Sequence, residues 1–172
     1  FPTRRSSDLG DTDFGWNSTT GTTFALQGWA CPLPTPTSYS ITFSAKITAL
    51  AGGDTSRWGS VMIATANDKP FNNATGAPGE NGYHMLFRGS GLLHLYSVTD
   101  GTGTLIATGT PSAPVLGNWY TYKITVTPTN VKFERLDDAV NIATVNNNTY
   151  RGAYFHIGRN QASVRFKDVT VA

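Results

Sequence analysis

The stretch "SYSITFSAKITAL", residues 38–50, decides the fold class. Apolar residues occupy every second position, and small polar residues or lysine fill the positions between them. The apolar set is Tyr39, Ile41, Phe43, Ala45 and Ile47. Successive side chains of a β-strand point to opposite faces of its sheet. The pattern therefore predicts a strand with one face on a core and the other in solvent.

Further segments extend this strand pattern along the chain. "RWGSVMIATA" (57–66) is apolar on both faces, which is typical of a central strand. "NGYHMLFRG" (81–89) and "GLLHLYSV" (91–98) flank a Gly-Ser-Gly turn, and "WYTYKITVTP" with "NVKFERL" predicts a second hairpin. In the closing "SVRFKDVTV", the apolar residues move from even positions (Val164, Phe166) to odd positions (Val169, Val171). This change predicts a bulge near Lys167 or Asp168. We predict an all-β jelly roll or β-sandwich of two antiparallel sheets, with roughly ten to twelve strands.

Charge and cysteine content exclude several classes of protein. The 172 residues include 13 Lys and Arg against 11 Asp and Glu, a net charge of +2. This balance argues against nucleic acid or an anionic membrane as the main partner. No apolar run approaches the roughly 20 residues of a membrane-spanning helix. Cys31 is the only cysteine, which excludes an internal disulfide and a cysteine-based metal cluster.

The first nine residues, "FPTRRSSDL", differ in character from the rest of the chain. With one codon choice per residue, their reverse translation resembles a widely used sequencing adapter. We therefore interpret residues 1–9 as a non-native leader and leave them out of functional reasoning. Residues 10–172 have a length that suits one domain with one core.

Four segments carry a family resemblance. They are "SRWGSVMIATAND" (56–68), "NGYHMLFRGSGLLHLYS" (81–97), "GNWYTYKITVTPTNVKFERLDD" (117–138) and "YFHIGRNQASVRFKDVTVA" (154–172). In this order, residues 38–172 resemble concanavalin A-like lectin/glucanase domains, most of all the non-catalytic modules attached to glycan-degrading enzymes. The resemblance implies a concanavalin A-like sandwich, a polysaccharide partner and a secreted bacterial protein. It does not identify the ligand, because this fold hosts lectins, hydrolases, lyases and adhesins.

The first predicted hairpin brings together a set of residues suited to sugar recognition. If Arg88 pairs with Leu92, one face of the hairpin carries a guanidinium, two imidazoles and a phenol. These belong to His84, Arg88, His94 and Tyr96. Aromatic faces stack on apolar sugar patches, and forked donors bind hydroxyl or carboxylate oxygens. The alternative is a polar face that packs beneath a long loop.

Two tryptophans receive different interpretations. Trp58 comes after the Gly-rich "AGGDTS", and we predict that it is a sugar-binding platform. The alternative is a residue that covers the edge of the core. Trp119 precedes a core-type strand at a position that is structural in the resembling family, so we expect it in the core.

The resemblance also implies a structural calcium ion, which hard oxygen ligands would hold. Asp168 matches an acidic position that the family often uses for it. Asp11 and Asp13 would join Asp168 if the first and last strands pair. The alternative for Asp168 is a solvated side chain at a bulge.

We assign no catalytic residue. The glucanases of this fold carry an E-x-D-x-x-E strand motif, which neither Glu80 nor Glu134 completes, and glycoside hydrolysis needs two opposed carboxylates. A lyase needs a base and a group that neutralises a uronate, which His84, Tyr96 and Arg88 would supply. Non-catalytic polysaccharide binding is therefore our first hypothesis. The alternatives are a lyase or hydrolase, and a structural or adhesive subunit that forms homo-oligomers.

Overall fold

A computed structural model describes residues 13–25, 38–65, 80–138, 142–146, 149–150 and 154–172. Within these ranges the chain forms twelve β-strands and two short 3-10 turns, at Ala51–Gly53 and Leu136–Asp138. The strands are β1 (Phe14–Trp16), β2 (Thr22–Ala25), β3 (Tyr39–Leu50), β4 (Trp58–Thr65), β5 (Gly82–Arg88), β6 (Leu93–Thr99), β7 (Thr102–Gly109), β8 (Tyr120–Val126), β9 (Val131–Arg135), β10 (Ile142–Val145), β11 (Tyr154–Asn160) and β12 (Ala162–Val171). No helix in these ranges has the length and apolar character that a membrane crossing requires.

The strands build two sheets of six strands each. Sheet I has the order β1-β12-β3-β8-β9-β10, and sheet II has the order β2-β11-β4-β5-β6-β7. Every neighbouring pair of strands is antiparallel. The predicted all-β fold of two antiparallel sheets is confirmed.

The core lies between the sheets, and β3 supplies its centre. All five apolar residues of the opening stretch are buried, while the polar residues between them are half-buried or exposed. The Phe43 ring lies 5.4 Å from Tyr122 and 6.1 Å from Phe166 in its own sheet, and 6.4 Å from Phe87 in sheet II. Burying an aromatic side chain of this size stabilises the fold by about 1.5–3 kcal/mol. The contacts of Phe43 therefore join the two sheets.

The predicted registers agree with the structure. The Arg88 amide donates to the Leu92 carbonyl at 3.0 Å and closes the turn of the first hairpin. β8 and β9 form the second hairpin. The register of β12 against β3 shifts between Lys167 and Thr170, and Asp168 there has φ 53°. This shift is the bulge that the parity change predicts.

The expectation that Trp119 lies in the core is wrong. The next residue, Tyr120, pairs with the inward-facing Ala45, so Trp119 falls on the outer side of sheet I. The Nζ atoms of Lys46 and Lys167 lie 4.4 and 4.8 Å from the Trp119 ring centroid. The ring is half-buried beneath two ammonium groups and takes no part in the core.

Candidate functional site

The outer face of sheet II, which points away from the core, contains the candidate site. His84 lies directly opposite Tyr96, and Leu86 lies opposite His94, as the turn of the hairpin predicts. The structure therefore brings His84, Arg88, His94 and Tyr96 to one face. Their exposure differs sharply across that face.

The centre of the face is buried. The side chains of Ser60, Met62, His84 and His156 have no exposed surface, and Leu86 is 1% exposed. Burial lowers the pKa of His84 to about 3, so its imidazole is neutral at neutral pH. With its side chain 0% exposed, His84 is not available for the direct sugar contact that the sequence suggested.

Trp58 begins β4 beside this buried centre. Its side chain is 7% exposed, and its ring meets the His84 ring edge-on at a centroid distance of 5.4 Å. A sugar-binding platform needs an aromatic face open to solvent. The geometry of Trp58 therefore fits the alternative, a residue that covers the edge of the core.

The lateral part of the face is open. Arg88, His94 and Tyr96 are each half-exposed, and we call these three residues the open cluster. Arg88 donates from Nε to Nδ1 of His94 at 3.3 Å, and its Nη1 donates to the Ser56 carbonyl. The His94 and Tyr96 rings meet at 66° with centroids 6.1 Å apart. These contacts hold the guanidinium and the imidazole in defined orientations.

The bond between Arg88 and His94 determines where the imidazole proton resides. A guanidinium has donors and no acceptor, so Nδ1 of His94 must accept, and the ring proton lies on Nε2. Burial, and then the charge of Arg88, lowers the pKa of His94. The imidazole is therefore neutral at neutral pH and presents an N–H donor on its far side.

Three polar groups of the open cluster reach solvent. Within the described part of the chain, no residue forms a hydrogen bond with Nη2 of Arg88, Nε2 of His94 or Oη of Tyr96, and none of these atoms is buried. Two donors and a hydroxyl are consequently available to a ligand.

Two residues of β7 border the open cluster, although no sequence motif points to them. Thr108 lies opposite His94, and Leu105, which is 46% exposed, lies opposite Tyr96. The turn at Asp100–Gly101, where both φ angles are positive, is a strong hairpin signal and would have predicted this pairing of strands. A bulge after Leu95 shifts the register, so the turn alone would not have given the correct partners.

Asp13 and Asp168, two of the three proposed calcium ligands, are paired with cationic side chains. β1 does pair with β12, as the calcium hypothesis requires. The Asp13 carboxylate, however, lies 2.7 Å from Nη2 of Arg165 and 3.7 Å from Nζ of Lys46, and its pKa is lowered, chiefly by the hydrogen bond from Arg165. Asp168 is exposed and lies 3.6 Å from Nζ of Lys167. Both carboxylates have cationic neighbours, an environment that does not fit a Ca²⁺ site.

Two further observations concern metals. Asp11 lies outside the described residues. In the described ranges, no three His, Cys, Asp or Glu side chains come close enough to hold a metal ion.

Glu134, which was considered for catalysis, lies on β9 of sheet I, and Asp137 and Asp138 follow it in the chain. Glu134 pairs with Lys132 at 2.8 Å on sheet I, and Asp137 accepts a hydrogen bond from the Thr121 amide at 2.7 Å. Asp138 accepts from the Ser112 amide at 2.9 Å. The strands of sheet II contain no Asp or Glu. These strands therefore supply no carboxylate pair to the open cluster.

Comparison with solved structures identifies the fold. The chain is similar to the carbohydrate-binding module CBM66 from Bacillus subtilis, with a TM-score of 0.64, 17% identity and 93% of each chain covered. It is also similar to congerin II liganded with lactose and MES, with a TM-score of 0.57, 13% identity, and 88% of this chain and 99% of that one covered. A galectin of Caenorhabditis elegans, LEC-6, gives a TM-score of 0.55 at 12% identity, covering 93% of this chain and 95% of the galectin.

These likenesses show the fold, a β-sandwich of two antiparallel sheets that a carbohydrate-binding module and galectins share, as the family resemblance implied. No family model matches the sequence, and no curated protein matches it.

Proposed function

We propose that this protein binds a polysaccharide, without catalysis, through the open cluster of Arg88, His94 and Tyr96. One observation carries the proposal: two donors and a hydroxyl face solvent together, with no partner among the described residues, on the outer face of a lectin-like sheet. Polar groups held in place by neighbouring bonds lose little freedom when a ligand binds. The similar folds of a carbohydrate-binding module and of galectins support this function at the level of fold.

The chemistry of the cluster suits a sugar ring. Tyr96 and the exposed Leu105 offer apolar surface to the C–H groups of the ring, and Arg88 and His94 donate to its oxygens. We expect a modest affinity, with a Kd of roughly micromolar to millimolar, or about −8 to −4 kcal/mol. Sugar hydroxyls are already solvated by water, which limits the net gain on binding.

The same geometry argues against a lyase that uses a histidine of this face as its base. A lyase removes a proton from the sugar and needs a side chain that accepts it. The outward nitrogen of His94 already carries the ring proton, because Nδ1 accepts from Arg88. His84, which the sequence offered as a base together with Tyr96, is fully buried, whereas Tyr96 is half-exposed. The two imidazoles therefore favour donation to a ligand or no contact with it over abstraction of its proton.

As the biological setting, we propose a module of a larger, secreted bacterial protein that degrades glycans. The module would keep the attached enzyme close to its polymeric substrate by raising the local concentration of that substrate. The likeness to a bacterial carbohydrate-binding module supports this setting.

Affinity electrophoresis tests the function. The 172-residue chain is run through gels cast with a panel of neutral and acidic polysaccharides. We expect retardation in at least one gel and a clear loss of it in Tyr96→Phe, which removes the hydroxyl and keeps the ring packed on Met62 and Val98. Lys123→Ala, on the outer face of sheet I, is the control. Its retardation, measured against its own mobility in a gel without polysaccharide, should equal that of the parent. Unretarded migration in every gel would contradict the proposal.

The second candidate function is a structural or adhesive subunit. The observation that favours it is β7, the terminal strand of sheet II, which carries no charged residue and exposes Leu105. Uncharged edge strands readily pair with another chain. This candidate predicts a molar mass, measured by light scattering, that rises with concentration and falls to one chain in Leu105→Lys. A single-chain mass at all concentrations would argue against it.

A further inference from the structure

The outer face of sheet II offers donors and lacks carboxylate acceptors. Arg88 Nη2 and His94 Nε2 donate and do not accept in the observed bonding. The strands of this sheet contain no Asp or Glu, and the side-chain carbonyl of Asn160 already accepts from the Thr22 hydroxyl at 2.9 Å. Hydroxyls of neutral sugars donate as well as accept, so a site for them gains from acceptors. A site rich in donors fits a sugar whose key group only accepts.

Within the described residues, no carboxylate forms an ion pair with Arg88. The pKa of Asp54 is lowered chiefly by hydrogen bonds from Ser56, and the charges of Arg57 and Arg88 also lower it. Asp54, in the adjacent loop, pairs with Arg57 at 3.1 Å. The cations of sheet I are mostly neutralised: Asp13 pairs with Lys46 and Arg165, Glu134 with Lys132, and Asp168 with Lys167. On sheet II, the charge that a ligand can reach therefore lies on Arg88, whereas on sheet I Lys123 is the described cation that forms no ion pair.

The guanidinium of Arg88 is held in advance of binding. Its Nε is bound to His94 and its Nη1 to the Ser56 carbonyl, so the plane of the group is fixed and Nη2 points to solvent. A charged N–H donor held in a fixed plane suits an oxygen of a carboxylate or a sulfate better than a flexible ammonium group does. His94 Nε2–H adds a second donor from the adjacent strand.

We propose that the open cluster selects anionic glycans, with Arg88 binding a carboxylate or sulfate group on the sugar and His94 donating beside it. This inference rests on the proposed glycan binding and specifies its ligand class. Uronates and sulfate esters present the same chemistry of negatively charged oxygens, so both belong in the test.

Matched pairs of polymers separate the effect of the polysaccharide's charge from that of its sugar backbone. The 172-residue chain is measured by affinity electrophoresis with polygalacturonate and its carboxyl-reduced form, and with dextran sulfate and dextran. We expect binding to at least one charged polymer that is about tenfold tighter than to its neutral partner, as loss of a hydrogen bond to a charged group implies. The polymer pair that shows the difference identifies the anion as carboxylate or sulfate.

Two charge-matched variants locate the effect. Arg88→Gln and Lys123→Ala each remove one positive charge, from the open cluster and from the outer face of sheet I respectively. We expect Arg88→Gln to lose about tenfold of the affinity for the charged polymer, and Lys123→Ala to lose less than about twofold. Arg88→Lys should recover part of the loss, because it restores the charge without the fork.

The outcomes are distinguishable. If Arg88→Gln and Lys123→Ala lose equal amounts of affinity for the charged polymer, the binding is a general attraction to polyanions and the inference is overturned. Retardation by neutral polymers alone would overturn it and leave the proposed glycan binding intact. Retardation by none of the polysaccharides would overturn both. Thermal unfolding of each variant establishes that the fold is retained, and Arg88→Lys keeps the test decisive if Arg88→Gln does not fold.

Discussion

Acidification should destabilise this protein through His84. The side chain is fully buried on the outer face of sheet II, and its folded pKa is about 3 against an ordinary value of 6.5. Between about pH 3 and pH 6.5, His84 is protonated in the unfolded chain and neutral in the folded chain. The stabilising contribution of His84 is therefore complete above about pH 6.5 and is lost progressively as the pH falls towards 3.

The size of the effect follows from the pKa difference. Each unit of pH in this window costs about 1.4 kcal/mol of unfolding free energy. Between pH 7 and pH 5, the unfolded state gains about 2 kcal/mol from protonation of His84, while the folded state gains almost nothing. A loss of this size is a large fraction of the stability of an ordinary domain.

Urea unfolding at pH 7, 6 and 5 measures this contribution. The variant His84→Gln removes the titrating group, so the free energy of unfolding of the parent minus that of the variant should fall by about 2 kcal/mol from pH 7 to pH 5. The contributions of the other titrating groups are the same in both proteins, so they cancel in this difference. The control His94→Gln, at a half-exposed position, should keep most of the pH dependence. A difference between parent and His84→Gln that stays constant with pH would refute the reasoning.

Two further predictions concern stability at neutral pH. Gly59 faces the core, where an added Cβ would lie 2.4 Å from ring atoms of Phe87 and 2.9 Å from Val164. Gly59→Ala should therefore lower the free energy of unfolding by about 1–3 kcal/mol through overpacking, and unchanged urea unfolding would contradict this. Arg135 is buried, with Nη1 and Nη2 each donating to Ser112 at 2.9 Å; Arg135→Ala should cost about 3 kcal/mol in the same assay, and a loss below about 1 kcal/mol would show that these bonds contribute little.

Much of the fold could be predicted from the sequence, because the signals involved are local. The alternation along β3 predicted which of its residues are buried, from Tyr39 to Ile47. The turn between Arg88 and Leu92 fixed the register of the first hairpin, so the facing of His84 and Tyr96 was correct. The parity change near Asp168 predicted its bulge. Each inference needed only a few neighbouring residues.

The candidate site could be predicted only in part. The sequence placed His84, His94 and Arg88 on one face, and the structure agrees. It contained no signal that Trp119 would lie under two lysines, or that Asp13 would bind Arg165. Those partners come from other strands, and a single sequence does not show which strands become neighbours.

The sequence by itself determined the strands, their inward faces and the all-β class, because the two-residue period of a strand links each side chain to a face. Only the tertiary structure decided which residues of a shared face are accessible. His84 and His94 have the same side chain and lie on adjacent strands of one face, yet His84 is fully buried and His94 is half-exposed. Exposure depends on packing against parts of the chain that are distant in sequence. This long-range packing made Arg88, His94 and Tyr96 the open cluster.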